Sequence, residues 1–270
     1  MVTHKGVQYR VADAHAHIYP GKIAEKATAS VGDFYGIPMD EVGLPHVLDT
    51  VGGGAGIDRF LVCSVATKVE QVASINHFIA EKCEKYPSFL GLGAWHQDVT
   101  DVDGTLDEIE ALGLRGIKLH PDFQRFQIDD KKMLPVYEEC TRRGLVVLFH
   151  TGDKRMDFSS PRRLAKVLEK IPDFTCIAAH LGGYSEWEDA RAVLQGTNVY
   201  IDTSSSLFQV SPEDARRSIR HFGLEKTMFG TDFPMWEPKD ELERFFALEY
   251  GEAENRAILY ENFAKLFQLE

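Results

Sequence analysis

Two histidines stand two residues apart in Asp13-Ala-His15-Ala-His17. In an extended chain, side chains at that spacing share a face, so His15 and His17 point the same way. The pair suits chelation of one metal ion. Further residues capable of metal or acid–base chemistry fall where apolar runs stop. They occur in Lys118-Leu-His120, Phe149-His150-Thr-Gly, Ala179-His180-Leu-Gly-Gly and Gly230-Thr-Asp232-Phe-Pro. His150 and Asp232 can complete a shell of three histidines and one carboxylate. Neutral imidazole and carboxylate suit a borderline divalent cation such as zinc, and donor type alone leaves manganese, iron and nickel open. A catalytic centre of this kind keeps one position free for water or substrate.

Something must bring these distant residues together. Eight apolar runs precede or contain them: Tyr9–Ile18, Phe60–Ala66, Phe89–Trp95, Gly116–His120, Val146–His150, Cys176–Leu181, Val199–Thr203 and Met228–Phe233. Most are continuous rather than alternating, as strands buried on both faces are. Amphipathic stretches lie between them: Val69–Lys85, Leu106–Leu112, Met133–Arg143, Pro161–Ile171, Ser185–Leu194 and Pro212–His221. Ser160-Pro161 and Ser211-Pro212 read as helix starts, and Gly144 and Gly223 as helix ends. Strand and helix alternating eight times predicts an α/β fold of (β/α)8 barrel type, over one domain spanning 1–270. A doubly wound open sheet is the competitor. In a barrel, active sites sit where strands end, which is where these residues fall. The first connection, from about Pro20 to Asp58, is long for a βα loop and predicts short helices over the mouth, as a lid or partner surface. The stretch Leu242–Phe267 reads as closing helices.

The composition excludes several functions. Lys and Arg number 30 against 42 Asp and Glu, a net charge of −12. That balance opposes binding to nucleic acid or to anionic membranes. No apolar run is long enough to span a bilayer, and the N-terminus lacks the apolar core of a signal peptide. Four scattered cysteines form no CxxC pair, so reduced thiols and a cytoplasmic location are expected. Gly52-Gly-Gly-Ala-Gly56 reads as a helix end, since a phosphate loop would carry Gly-Lys-Ser/Thr.

Other residues are candidates for substrate contact. Lys118 and His120 share a strand face. Arg155, in the loop after His150, can pair with a substrate carboxylate, as can the cations after His120. Trp236, just past Asp232, is a candidate pocket wall. His96 follows the third run.

Together these motifs, with Gly-Ile-Lys118-Leu-His120-Pro and Asn262-Phe-Ala-Lys-Leu266, resemble the amidohydrolase superfamily across essentially the whole chain. Within it they resemble the amidohydrolase-related branch, which includes aminocarboxymuconate-semialdehyde decarboxylase and other metal-dependent carboxy-lyases. The resemblance implies one metal, commonly zinc, on His15, His17, His150 and Asp232. It implies that His180 is the acid/base residue, sharing proton transfer with Asp232, and that Asp13 orients a ligand histidine. A second metal on a carbamylated Lys118 is the binuclear alternative, and a homodimer is left open. The implied activity is hydrolysis of a small carboxylate-bearing ester, lactone or amide by metal-activated water. Non-oxidative decarboxylation is the alternative, and a catalytically silent barrel is the remote one.

Overall fold

The structure, a computed structural model, describes residues 1–269. Two short antiparallel strands come first, β1 (Val2–His4) and β2 (Val7–Tyr9). The sequence reading missed them, although the signal was present. Lys5 and Gly6 between them both take positive φ, 48° and 81°, as a two-residue hairpin turn requires.

The apolar runs then become parallel strands: β3 (Ala12–His17), β4 (Arg59–Cys63), β5 (Phe89–Gly91), β6 (Gly93–Ala94), β7 (Gly116–Leu119), β8 (Val146–Phe149), β9 (Cys176–Ala178), β10 (Val199–Asp202) and β11 (Thr227–Met228). The segments β5 and β6 are one strand interrupted at Leu92, so these nine segments fill eight positions. The last position pairs with the first. Ala14 N–H donates to the Phe229 carbonyl at 2.8 Å, and Asp232 N–H donates to the His15 carbonyl at 2.8 Å. The sheet is therefore a closed (β/α)8 barrel, and the open doubly wound alternative is excluded.

The continuous apolar runs follow from burial on both sides. Along β8, Val147 and Phe149 join the cluster that packs under the helices, while Val146 and Leu148 join the other cluster with Leu61, Ile177 and Met228. At Gly116 (φ +154°) an added Cβ would stand 1.8 Å from the Val146 carbonyl oxygen, so only glycine lets β7 approach β8 there.

The long first connection holds α1 (Ala24–Tyr35) and α2 (Pro45–Gly54), the latter absorbing the glycine run as expected. The remaining helices are α3 (Val72–Lys85), α4 (Val102–Ala111), the single turn α5 (Pro121–Gln124), α6 (Leu134–Arg143), α7 (Pro161–Lys170), α8 (Trp187–Leu194) and α9 (Pro212–Phe222). Ser160 and Ser211 cap α7 and α9 by accepting the Arg162 and Asp214 amides. Gly144 ends α6 in the left-handed region. The C-terminal stretch forms α10 (Pro238–Phe246), α11 (Glu252–Arg256), a π-helical turn and α12 (Asn262–Phe267). Phe263 and Phe267 of α12 pack into the cluster of Leu61 and Leu148. Among the described residues, no helix is long and apolar enough to cross a membrane.

Candidate functional site

The seam between the first and last barrel strands builds the centre. His15 Nε2 and His17 Nε2 stand 3.2 Å apart at the end of β3. Asp232, arriving from β11, places Oδ1 3.6 Å from His15 Nε2 and 3.4 Å from His17 Nε2. Asp232 holds a left-handed backbone (φ 60°), as do His180 (φ 64°) and Ser205 (φ 45°). Non-glycine residues hold that conformation only where their surroundings impose it, and such positions gather at functional sites.

The hydrogen bonds fix which atoms offer lone pairs. His15 Nδ1 faces Asp202 Oδ2 at 3.2 Å, so it carries the proton, and Nε2 is the free donor atom. Burial and the neighbouring Lys118 charge push His15 down to about 4, so the ring is neutral near pH 7. For His17, burial works against the charge, yet Cys63 and Asp232 outweigh it and raise the ring to about 9. Asp232 is desolvated too, but His15, His17 and His180 hold its carboxyl far below the usual range. Its Oδ2 accepts from Ser205 Oγ at 2.6 Å, and Ser205 Oγ accepts in turn from Trp236 Nε1 at 2.9 Å. Oδ1 remains turned toward the histidines.

Two imidazole nitrogens and a carboxylate oxygen, converging within 3.6 Å in a buried place, fit a divalent cation. Cys63 and Asp202 also lie close enough to be donors. Both face the wrong atoms: Cys63 Sγ meets His17 Nδ1 at 3.8 Å, and Asp202 meets His15 Nδ1. They support the ligands rather than join them. Lys118, fully buried, places Nζ 3.0 Å from His15 Nε2. It makes no ion pair among the described residues, so it is not the prop of a structural salt bridge. Burial lowers its pKa, and the charge facing it is the shared field of Asp232 and Asp202.

His150 and His180 form a second pair, with His150 Nδ1 3.0 Å from His180 Nε2. His180 Nδ1 faces the Ser204 carbonyl at 3.1 Å, an acceptor, so Nδ1 carries the proton and Nε2 the lone pair. Ser204 Oγ donates to Asp202 Oδ1 at 2.5 Å and can only accept from His180. Burial, opposed by Asp232 and Asp202, lowers the His180 pKa. His150 therefore does not share the tight cluster of His15, His17 and Asp232. It lines the same cavity of about 610 Å³ with them, with Lys118, His120 and His180. His120 caps α5, where its Nδ1 accepts the Phe123 amide at 3.3 Å, and its ring stacks on His150 at 4.0 Å.

Other candidates are placed differently. Arg155 does not line the cavity. Its guanidinium grips Asp153 at 2.6 Å, donates to the Phe34 carbonyl at 2.9 Å and lies over the Phe34 ring, which anchors α1. Trp236 is not a wall either, since it stacks on Phe208 and steadies Ser205 behind Asp232. His96 is buried outside the cavity with Nδ1 accepting the Asp98 amide. Asp13 holds the His15 and Thr231 amides at 3.0 and 2.9 Å, tying β3 to the segment after β11. It therefore positions the His15 backbone, and the His15 ring is oriented by Asp202.

Asp202 and Tyr35 were missed by sequence reasoning. The signal for Asp202 was faint, a lone acid ending an apolar strand. Asp202→Asn is expected to weaken metal affinity about 10–100-fold, the usual loss for a group that orients a ligand histidine. Equilibrium dialysis against zinc checks this, and unchanged affinity would remove Asp202 from the support of His15.

Comparison with known proteins matches this chain to a family. The family model described as amidohydrolase covers residues 12–269. The chain belongs to the amidohydrolase family. A 2-amino-3-carboxymuconate-6-semialdehyde decarboxylase from Dictyostelium discoideum is 28% identical over 109 residues, which are 38% of this chain and 30% of that one. The matched stretch thus spans under a third of that relative. An uncharacterised TIM-barrel protein from Bordetella bronchiseptica superposes with a TM-score of 0.79 at 19% identity, covering 96% of this chain and 98% of that one. A dihydroxybenzoic acid decarboxylase from Polaromonas sp. JS666, solved with manganese, superposes with a TM-score of 0.75 at 16% identity, covering 97% of each chain. These two superpositions speak to the barrel fold alone.

Proposed function

We propose that this chain, 1–270 as one domain, is a metal-dependent hydrolase acting on a small carboxylate-bearing ester, lactone or amide. One observation carries the reading: His15, His17 and Asp232 converge in the cavity that also holds a neutral His180. On this reading those three residues hold the cation. His150, which lines the same cavity, would be the fourth ligand. A divalent cation held there, zinc in this proposal, would polarise a substrate oxygen and acidify water. His180 takes the proton at Nε2, while the Ser204 carbonyl and hydroxyl hold its Nδ1–H. Ser205 keeps Oδ2 of Asp232 occupied and leaves Oδ1 for the cation. Phe34 and Tyr35 of α1 line the cavity. The four cysteines are free, which suits a reducing, cytoplasmic setting.

Decarboxylation of a carboxylic acid on the same residues is the second reading, favoured by the decarboxylase activity in the names of the Dictyostelium and Polaromonas proteins. It requires His180 to deliver a proton to carbon. Hydrolysis stands first because His180 keeps a lone pair at Nε2, its Nδ1–H being held by the Ser204 carbonyl, and that lone pair suits a base.

Elemental analysis of protein purified without chelator or histidine tag tests the proposal. About one equivalent of divalent metal is expected. Two would assign the bridge to a carbamylated Lys118, and none after reconstitution would overturn the reading. Metal uptake is also expected to release at least one proton at pH 7. The sign follows from His17, whose pKa of about 9 leaves it protonated in the metal-free protein, so metal and proton compete for Nε2. Apparent affinity should rise with pH up to about 9. Calorimetry in buffers of different ionisation enthalpy measures the release, and zero protons would exclude His17 as a ligand.

A further inference from the structure

Tyr35 enters the site from the last residue of α1, in the connection with no counterpart in the barrel repeat. Its hydroxyl stands 3.1 Å from His120 Nε2 and 3.4 Å from His150 Nε2. The Phe123 amide occupies His120 Nδ1, so His120 Nε2 carries the proton and donates to the Tyr35 oxygen. That assignment also removes His120 as a metal ligand, although His120, Asp122 and His150 cluster closely enough to suggest a second cation site. The Tyr35 oxygen is an acceptor toward His120, and its own proton is left with a long contact to His150. The ring is held by Tyr184, and Phe34 beside it packs edge-on against Phe123. Exposed Lys26 and Arg125 line the same cavity, and neither forms an ion pair among the described residues.

We propose that Tyr35 contacts the substrate: held in place by His120, its hydroxyl donates a hydrogen bond to a carboxylate oxygen of the bound molecule. This rests on the hydrolase reading of the same cavity and makes α1 its specificity element. The free cations at the mouth favour an anionic ligand over a neutral one.

Benzoate is the probe, titrated into zinc-loaded protein carrying ¹⁵N-labelled histidine. In the wild-type chain benzoate is expected to move the His120 Nε2–H resonance, a readout that needs no variant. Tyr35→Phe keeps the ring and its packing and is expected to weaken benzoate binding roughly tenfold, as loss of a hydrogen bond to a charged group does, with zinc content unchanged. His120→Gln, which retains an N–H donor, should bind benzoate better than His120→Phe. An unmoved His120 resonance, or wild-type benzoate affinity in Tyr35→Phe, would overturn the proposal. Failure of the metal reading is separate: it shows as no zinc uptake while benzoate still moves His120.

Discussion

Replacing His180 by Asn is expected to lower kcat by about 10²–10⁴-fold on a confirmed substrate, with metal content unchanged. That range corresponds to about 3–5 kcal/mol of lost transition-state stabilisation. The reason lies in the distribution of roles. His180 offers a lone pair at Nε2, and its Nδ1–H is anchored on the Ser204 carbonyl and hydroxyl. Asp202 stands behind that arrangement, accepting the His180 amide at 3.1 Å and the Ser204 hydroxyl at 2.5 Å. A proton arriving on Nε2 therefore meets a ring already oriented toward compensating groups. Asparagine keeps the size and polarity but has no basic nitrogen. Of the proposed ligands only His150 hydrogen-bonds this ring, and the trio of His15, His17 and Asp232 does not, so metal binding should survive. Steady-state kinetics with metal analysis of the same preparation checks both halves. Wild-type turnover in the variant would sink the acid/base role, and lost metal would assign His180 to the ligand shell.

Asp232→Ala is expected to remove both metal and activity. The carboxylate is the anionic member of the trio, and together with Cys63 it keeps His17 able to carry charge in a buried place. Without it, a cation would face two neutral imidazoles in the field of the Lys118 ammonium, 3.0 Å from His15 Nε2. Loss of metal affinity should exceed the roughly 100-fold limit typical of groups outside the ligand shell. The comparison with Asp202→Asn is therefore diagnostic, because both residues are buried acids touching His15 but on opposite ring nitrogens. Dialysis against zinc orders them. Stoichiometric metal at wild-type affinity in Asp232→Ala would mean that the centre is held elsewhere in the cavity. Similar losses in both variants would mean that His15 orientation, not direct ligation, governs binding.

The residue-level record divides along physical lines. His15, His17 and Asp232 were legible because strand periodicity puts alternate side chains on one face and barrel closure puts strand ends together. The alternation of elements was legible because a strand buried on both sides must be apolar throughout, as along Val146–Phe149. Arg155 and Trp236 misled because loop cations and aromatics were read by proximity in sequence. Whether such a side chain turns inward depends on which partner reaches it first. Asp153 and the Phe34 carbonyl took Arg155, and Ser205 and Phe208 took Trp236.

By itself the sequence determined the barrel, the family and the strand-end residues, since each follows from local pattern and spacing. The tertiary structure alone decided three other matters. It separated His150 from the tight trio, assigned the ring-nitrogen protons of His15, His120 and His180, and set the Tyr35 hydroxyl against His120 and His150. Phe123 and Ser204, which assign His120 and His180, lie 3 and 24 residues away, whereas the Tyr35 contact and the His15 proton depend on partners 85 and 187 residues away, His120 and Asp202. Contacts of that range are set by how packed layers meet, and no local periodicity encodes them.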